Sequence, residues 1–245
     1  MDIKITDEIS SLINQKALFV INDSAGKDSQ AMKIKLIECI PKEQLIIVHA
    51  NLPGVEWDGN LDHIKKYSND VPVFEVQARK TFFEMVEHRK MFPSPKHRQC
   101  TSDLKRGPIQ KFINNYAKSN GFSIVVNCMG LRGQESPNRA KKTVFQYKPT
   151  NSSKLRKQYE WLPIHDFKID NVWSTIKEAG QLPHWAYEKG MSRLSCCFCI
   201  MSSEKDLKIA AKLNPELAAK YIEVEERLNF TMSMSRTPLK NIINS

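Results

Sequence analysis

The sequence has no long apolar run and no export signal. No stretch approaches the ~20 consecutive apolar residues that a membrane-spanning helix requires. The first ten residues, MDIKITDEIS, lack the basic-then-apolar pattern of a secretory signal peptide. Internal repeats and low-complexity tracts are absent as well. These absences exclude a membrane-spanning protein and a repeat array, and we expect a soluble, cytoplasmic globular chain.

Cysteine is scarce, with six residues in the whole chain. Without an export signal they are expected to be thiols or metal ligands, because disulfides are rare in reducing compartments. Cys39 and Cys128 stand among apolar neighbours and are predicted to lie in the core. Cys196, Cys197 and Cys199 form the cluster SCCFC, whose Cys-x-x-Cys spacing is half of a metal site.

The chain is large enough for one α/β domain, and it is basic. Its 245 residues carry 37 lysines and arginines against 27 aspartates and glutamates, a formal net charge of +10. Such an excess attracts polyanions such as nucleotides, nucleic acid or acidic partners. A soluble protein that is simply basic would show the same charge, so charge alone does not identify a partner.

Short apolar runs alternate with helical patterns along much of the chain. The runs of strand length are 18–21, 45–48, 71–76 and 123–128, and the helical patterns are 28–40, 59–68, 80–90, 103–118 and 169–179. Continuous apolar runs suit strands that are covered on both faces, as in a parallel sheet. We therefore predict a doubly wound α/β fold with a mainly parallel, five-stranded sheet.

The pattern changes after residue 130. Residues 139–158 are basic and predict a mobile loop or lid, or else a solvated connector. Asp170 is predicted to cap a helix. Asn214 and Pro215 mark the start of a C-terminal helix, and the last dozen residues are expected to be frayed.

A phosphate-binding turn stands between the first predicted strand and the first helical pattern. Its residues are Ser24, Ala25, Gly26, Lys27, Asp28 and Ser29. Gly26 allows close approach of the backbone to an anion, and the free N–H groups at the helix start point towards it. Lys27 adds a positive charge, and the two serines supply hydroxyl donors. The spacing is too short for the Walker pattern G-x-x-x-x-G-K-[ST].

The hexapeptide SAGKDS resembles the PP-loop, SGGKDS, of the ATP pyrophosphatase superfamily, with Ala25 in place of one glycine. Three later segments are similar, in the same order, to further motifs: CTSDLKRGPI at 100–109, MGLRGQESPNRA at 129–140, and 163–199, which begins PIHDFKIDNVW and ends in the cysteine cluster. On these four segments the chain is identified as a member of the phosphoadenosine phosphosulfate (PAPS) reductase-like family, whose fold is adenine nucleotide alpha-hydrolase-like.

The resemblance implies which residues hold the nucleotide. They are Ser24 to Ser29 with Gly130, Arg132, Glu135, Ser136 and Arg139, and Lys27 and Arg132 are the catalytic cations. Both segments follow strands, so they should line one pocket beyond the carboxyl ends of the sheet. Two guanidinium groups there suit bidentate capture of phosphate or sulfate, and Lys105 is a third candidate cation. The implied domains are a nucleotide-binding domain with the cysteine cluster, 1–200, and a helical extension packed on it, 201–245.

The family match adds Cys100 to Cys196 and Cys199 as candidate metal ligands. Cluster-bearing relatives have a second cysteine where this chain has Thr101, so one of their four ligands to a [4Fe–4S] cluster is missing. Three thiolates can still hold a cubane with one open iron, and Cys197 is an alternative fourth ligand. With His97 or His184 the site would be tetrahedral zinc. An iron–sulfur cluster, zinc and no metal all stay open, the cluster being preferred.

The resemblance leaves three functions. The first is an ATP pyrophosphatase acting as a sulfurtransferase, as in DNA phosphorothioation, which uses ATP with Mg²⁺ and adenylates an acceptor before sulfur transfer. The second is a sulfonucleotide reductase acting on PAPS or APS. Those reductases carry a Glu-Cys-Gly-x-His segment, and no cysteine follows Cys199 here, so we expect the first function. The third is a non-catalytic nucleotide sensor. Implied partners are nucleic acid, a sulfur donor or a DNA-binding protein.

Overall fold

A six-stranded sheet organises the computed structural model, which describes residues 1–245. The strands are β1 (Leu18–Asn22), β2 (Leu45–Asn51), β3 (Val73–Gln77), β4 (Ile124–Met129), β5 (Phe145–Tyr147) and β6 (Lys157–Trp161). Their order is β3-β2-β1-β4-β6-β5. β1 pairs in parallel with β2 and β4, β4 pairs in parallel with β6, and β5 runs antiparallel to β6. The predicted α/β fold with a mainly parallel sheet is confirmed, with six strands instead of five.

Twelve α-helices accompany the sheet. They are α1 (Asp7–Asn14), α2 (Lys27–Cys39), α3 (Asn60–Lys66), α4 (Phe82–Arg89), α5 (Gln99–Thr101), α6 (Gly107–Ser119), α7 (Pro137–Ala140), α8 (Ile169–Glu178), α9 (Trp185–Glu188), α10 (Glu204–Leu213), α11 (Pro215–Leu228) and α12 (Leu239–Asn244). A π-helical turn, Ser102–Arg106, joins α5 to α6. None of the helices combines the length and the apolar character needed to cross a membrane.

The chain divides into two compact units, each built from several segments. The first unit consists of Met1–His49, Asn60–Val76 and Ile109–His184, and the second of Ala50–Gly59, Gln77–Pro108 and Trp185–Ser245. These units are defined by contacts within the structure. They do not test the domain boundary expected after residue 200, which stays a prediction.

The core of the first unit lies between the sheet and α6. Leu18 and Val20 of β1 are buried in one cluster with Ile113 and Ala117 of α6. Because side chains alternate along a strand, Phe19 faces the opposite side, where its ring meets Trp161 edge-on at 6.2 Å. Burial on both faces explains why β1 is a continuous apolar run.

The second unit is built around an aromatic cluster. The ring of Tyr221 on α11 lies 5.0 Å from Phe83, 6.0 Å from Phe92 and 5.0 Å from Phe198, measured between ring centroids. Tyr221 has no solvent-exposed surface. The cluster therefore packs helix α11 against the segment that carries three of the cysteines.

Several local predictions are corrected by the structure. The segment 139–158, predicted as a loop, contains β5 and the start of β6, because Phe145 and Tyr147 alternate along β5 and pack on Tyr159 of β6. Cys39 is the last residue of α2 and is exposed rather than in the core, whereas Cys128 is buried as predicted.

Two helix predictions are also wrong in detail. Lys168, not Asp170, is the N-cap of α8, and its backbone N–H donates to Asn171 Oδ1 at 2.9 Å. The chain end is not frayed, because Leu239 and Ile242 of α12 are buried. Asn214 caps α11, with Pro215 at its first position, as predicted.

Candidate functional site

The strand order changes direction at β1, and this places the two predicted phosphate-binding segments together. From β1 the chain proceeds to β2 and β3 on one side, and β4, β6 and β5 lie on the other. Ligands of open α/β sheets bind at such a switch point, outside the carboxyl ends of the strands. The turn Ser24–Ser29 follows β1, and Gly130–Arg139 follows its neighbour β4. Arg132 Nε donates to Asp28 Oδ1 at 2.5 Å, so the two segments are in contact.

A buried ion pair holds the conformation of the turn. Asp23 Oδ1 accepts hydrogen bonds from the Ala25 backbone N–H and the Ser29 hydroxyl, both at 2.9 Å. Lys33 Nζ of α2 lies 2.7 Å from Asp23 Oδ2, and both side chains are at most 1% exposed. Ala25 adopts a left-handed conformation with φ of 61°. The carboxylate and the ammonium behind it therefore fix the turn before any ligand binds.

Electrostatics keeps the Asp23 carboxylate charged. Burial raises the pKa of this group, but the Lys33 ammonium and the hydrogen bonds from Ser29 and Ala25 outweigh burial and hold the pKa below its usual value. Sequence reasoning missed both residues of the pair. The available signal was a charged side chain at the end of an apolar strand and another inside an otherwise apolar helix face.

The start of α2 offers an anion site. Gly26 is the N-cap of this 13-residue helix and supplies no side-chain hydrogen bond to its first turn. The side chain of Lys27 is 7% exposed, and its Nζ lies 3.2 Å from Asp28 Oδ2. Asp28 thus bridges two cations, Lys27 and Arg132. A phosphate group would compete with this carboxylate for both charges and would gain from the helix dipole.

Gly130 is required by close packing at the end of β4. A Cβ atom at this position would lie 3.0 Å from both Asp28 O and Ser29 N. These are backbone atoms that cannot move aside without shifting the helix start. Glycine is therefore the residue that lets β4 approach the turn.

The remaining predicted nucleotide-binding residues support Arg132 and each other. Glu135 Oε2 accepts the Arg132 backbone N–H at 3.0 Å, and the Glu135 carboxylate forms an ion pair with the Arg139 guanidinium. Ser136 is the N-cap of α7, and its hydroxyl accepts the Arg139 backbone N–H at 3.2 Å. Ser24 is exposed, and its backbone N–H donates to Ser29 Oγ at 3.2 Å. Direct contact of these residues with a nucleotide stays a prediction.

The candidate cysteine ligands all belong to the second unit. Cys100 lies on α5, and Lys105, on the π-helical turn that follows, places its Nζ 3.8 Å from Cys196 Sγ. Cys199 Sγ accepts the Met201 backbone N–H at 3.5 Å. Cys197 is fully buried, and its backbone N–H donates to Val55 O at 2.9 Å. Lys105, the third candidate cation, is thus placed beside a thiol.

The thiols are close enough to influence one another. Burial raises the pKa of Cys196 to about 11, Lys105 opposes this, and Cys199 and Cys100 add to it. Burial also raises the pKa of Cys100, with Cys199 contributing. No group of three or more His, Cys, Asp or Glu side chains is arranged to hold a single metal ion. A cubane places its ligands on different irons, so its thiolates stand farther apart than the ligands of one ion.

Tyr221 of α11 is a further candidate site residue. Its hydroxyl is buried and has no hydrogen-bond partner. Burial raises the Tyr221 pKa well above the usual value, and the charges of all four clustered cysteines add to that rise. A buried O–H donor beside three candidate ligands fits an acceptor sulfur better than an apolar core.

The two histidines considered as alternative ligands lie in different places. His184 is buried in the first unit, where its ring centroid is 5.5 Å from that of His63. His97 is exposed in the second unit and closes a turn with Ser94.

Sequence comparison supplies the family. The model of the phosphoadenosine phosphosulfate reductase domain matches residues 19–202. A protein of Methanocaldococcus jannaschii is 26% identical over 208 residues, which cover 84% of this chain and 47% of that protein. A 37.8 kDa protein of Escherichia phage 186 is 28% identical over 144 residues, which cover 59% of this chain and 42% of that protein. The chain thus spans less than half the length of these curated relatives.

Structural comparison supports the fold. The FMN adenylyltransferase of Candida glabrata, solved with FMN and an ATP analogue, superposes with a TM-score of 0.52 at 16% identity. The match covers 76% of this chain and 59% of that one. At this identity the likeness concerns the fold alone.

Proposed function

The chain belongs to the phosphoadenosine phosphosulfate reductase family, and we propose that within it this protein is an ATP pyrophosphatase that adenylates an acceptor before sulfur transfer. The observation that carries the proposal is the turn after β1. There Lys27 and Arg132 both pair with the Asp28 carboxylate at the N-terminus of α2. Nucleotide binding follows from the family, and the adenylation step is our inference.

Each group at the turn has a distinct part in this reaction. The first-turn N–H groups of α2 bind the pyrophosphate portion of ATP, which is the group that leaves. Lys27 and Arg132 offset the charge that develops on its oxygens. When Lys27 and Arg132 pair with the phosphates, the Asp28 carboxylate loses both partners. It would then be available as a ligand for Mg²⁺, which prefers oxygen ligands.

The proposed chemistry conserves atoms in two steps. An acceptor oxygen attacks the α-phosphorus of ATP, the bond to the bridging oxygen breaks, and pyrophosphate leaves with that oxygen. A sulfur nucleophile then attacks the acceptor atom, and AMP departs with the original acceptor oxygen. Preorganised cations contribute most to the first step, because negative charge accumulates on the departing pyrophosphate.

We further propose that Cys100, Cys196 and Cys199 hold a [4Fe–4S] cluster. Three mutually interacting thiols fit its corners better than they fit a single zinc ion, and Tyr221 and Lys105 supply donors beside them. Such a cluster would supply the sulfur for transfer. The cysteine thiols would hold it, and the Lys105 ammonium would offset part of its negative charge.

The nucleotide proposal is tested by incubating the protein with α-³²P-labelled ATP, Mg²⁺, sulfide and nucleic-acid acceptors. We expect AMP and pyrophosphate to form in equal amounts. Lys27→Ala should weaken binding of a non-hydrolysable ATP analogue by about 10- to 100-fold, since a charge-assisted contact contributes about 1.5–3 kcal/mol. The exposed Lys65→Ala is the matched control. Tighter binding of PAPS than of ATP would instead support the reductase, and binding without AMP formation would support the nucleotide sensor.

The cluster proposal is tested on anaerobically purified protein. We expect absorbance near about 400 nm, with iron and sulfide in equal amounts. Cys100→Ser should lower both contents, whereas Cys39→Ser, at an exposed cysteine, should not. A colourless protein that binds zinc, or no metal after reconstitution, contradicts this proposal without touching the nucleotide site.

A further inference from the structure

One segment of the first unit is rich in positive charge and has no acidic residue of its own. The segment 139–158 contains seven lysines and arginines and no aspartate or glutamate. Four of its lysines are exposed and form no ion pair: Lys141, Lys142, Lys154 and Lys157. Lys148 pairs with Glu160 outside the segment at 3.3 Å. An uncompensated set of this kind attracts a polyanion.

This basic segment is held in place by side-chain hydrogen bonds and is not a solvated connector. Asn114 Oδ1 of α6 accepts hydrogen bonds at 2.8 Å from both Arg156 Nη2 and Gln158 Nε2. Gln110 Oε1, also on α6, accepts from Asn151 Nδ2 at 2.9 Å. The turn that carries Lys154 and Lys157 is thus tied to α6 at three points. Ordering these residues before binding removes part of the entropic cost of association.

The basic segment also contributes aromatic rings to the edge of the sheet. β5 is the last strand in the sheet, and Tyr147 stands opposite Tyr159 of β6, with 5.5 Å between ring centroids. Phe145 stacks on the same Tyr159 ring at 5.3 Å. Tyr147 is 48% exposed although its neighbours hold it in place. An exposed ring held on an edge strand within a lysine-rich segment suits stacking of an unpaired base.

We propose that this surface binds single-stranded nucleic acid. The four lysines would contact successive phosphates, and Tyr147 would stack on one base. A duplex offers phosphates but no exposed base face, and an acidic protein offers charge without planar bases. This inference rests on the proposed function in one respect, which is that the bound nucleic acid would be the acceptor of that reaction. Binding itself requires no ATP and can be measured alone.

The test is fluorescence anisotropy with labelled 20-nucleotide RNA, DNA of the same sequence, and the DNA duplex, without ATP. The variant combines Lys141→Gln, Lys142→Gln, Lys154→Gln and Lys157→Gln, and its control combines Lys4→Gln, Lys16→Gln, Lys65→Gln and Lys177→Gln at exposed sites of the first unit. At 0.1 M salt the variant should bind single strands about 100-fold more weakly, with a salt slope lower by about 3. The control variant should retain a salt slope closer to that of the wild type. Comparing RNA with DNA of the same sequence shows whether the surface prefers ribose or deoxyribose.

Tyr147→Leu separates stacking from charge. It should weaken single-strand binding about 5- to 100-fold and leave duplex binding unchanged, with Phe230→Leu, at another exposed ring, as control. The proposal would be overturned if both lysine variants lost the same affinity for single strands, or if the duplex bound as tightly as the single strand. It would also be overturned if polyglutamate competed as well as unlabelled single strand. Since AMP release is measured separately, failure here leaves the adenylation proposal standing, and the reverse also holds.

Discussion

At the scale of single residues, the turn after β1 places an alanine in a conformation that glycine adopts more readily. Ala25 has a φ of 61° and no exposed surface. A left-handed alanine is strained by about 1–2 kcal/mol. Its buried methyl group contributes about 0.8 kcal/mol, and glycine would lose about 0.5–1 kcal/mol of backbone entropy on folding. These terms nearly cancel, which explains why alanine is tolerated where the PP-loop pattern has glycine.

We therefore expect Ala25→Gly to change the free energy of unfolding by no more than about 0.5 kcal/mol. Ala25→Val should lose about 2 kcal/mol or more, because a β-branched residue is a true outlier at positive φ. Chemical denaturation of the two variants measures both values. A substantial loss in the glycine variant would show that the methyl group has a packing role larger than its area indicates.

The second residue-scale prediction concerns His63 on α3. Burial lowers the pKa of His63 to about 4, and the neighbouring His184 also lowers it; Asp23 opposes the shift, and Lys33 and Lys66 add to it. Between pH 6.5 and 4, His63 binds a proton in the unfolded chain but stays neutral in the folded protein. The free energy of unfolding therefore decreases as the pH falls through this window. Because His63 is partly exposed, we expect a loss of about 1–2 kcal/mol.

Urea unfolding at several pH values measures this slope. His63→Gln should flatten it between pH 6.5 and 4, while His88→Gln, at an exposed histidine, should leave it as in the wild type. An unchanged slope in the His63 variant would assign the pH dependence to other groups.

At the scale of elements, one buried carboxylate of α11 holds the chain that follows this helix. Glu225 Oε1 accepts the Met232 backbone N–H at 2.6 Å, and Oε2 accepts that of Leu239 at 2.7 Å. Burial raises the pKa of Glu225, and the two hydrogen bonds oppose that rise. The carboxylate thus satisfies the first amide of α12 and a turn amide together, which is why the C-terminal residues are ordered.

Glu225→Gln should release this end of the second unit. The amide keeps one acceptor oxygen but turns an N–H₂ towards a backbone donor, so we expect a loss of about 1–3 kcal/mol. Limited chymotrypsin digestion should cut the variant at Phe230 faster than the wild type. Glu226→Gln, at an exposed neighbour, is the control, and equal digestion of both variants would contradict the role of Glu225.

At the scale of the whole molecule, the two candidate sites belong to different compact units. The phosphate-binding turn lies in the first unit, and the clustered cysteines with Tyr221 lie in the second. A ligand stabilises the structure that binds it, by about 2.7 kcal/mol at a hundredfold excess over its dissociation constant. Each ligand should therefore stabilise only the segments of the unit that binds it.

Hydrogen exchange with and without an ATP analogue and Mg²⁺ tests this assignment. We expect the largest new protection in β1, α2 and the segment after β4, and little change in α10 to α12. Lys27→Ala should abolish the effect. Protection concentrated in the second unit would place nucleotide binding elsewhere.

The sequence by itself determined the central strands of the sheet, the phosphate-binding turn and the family. Continuous apolar runs predicted β1, β2 and β4, because strands covered on both faces leave no room for polar residues. The turn and its cations could be found because spacing along the chain fixes which groups meet at a helix start. Local signals therefore reached the turn residues Ser24 to Ser29 and the Cys-x-x-Cys cluster.

Only the tertiary structure decided which distant groups complete each site. Asp23 and Lys33 form their buried pair because α2 packs on the sheet, and Lys105 meets Cys196 across 91 residues of sequence. The edge strand β5 was missed because its three residues gain stability from pairing with β6 and not from their own propensity. Contacts of this kind depend on packing, which periodicity and spacing do not encode.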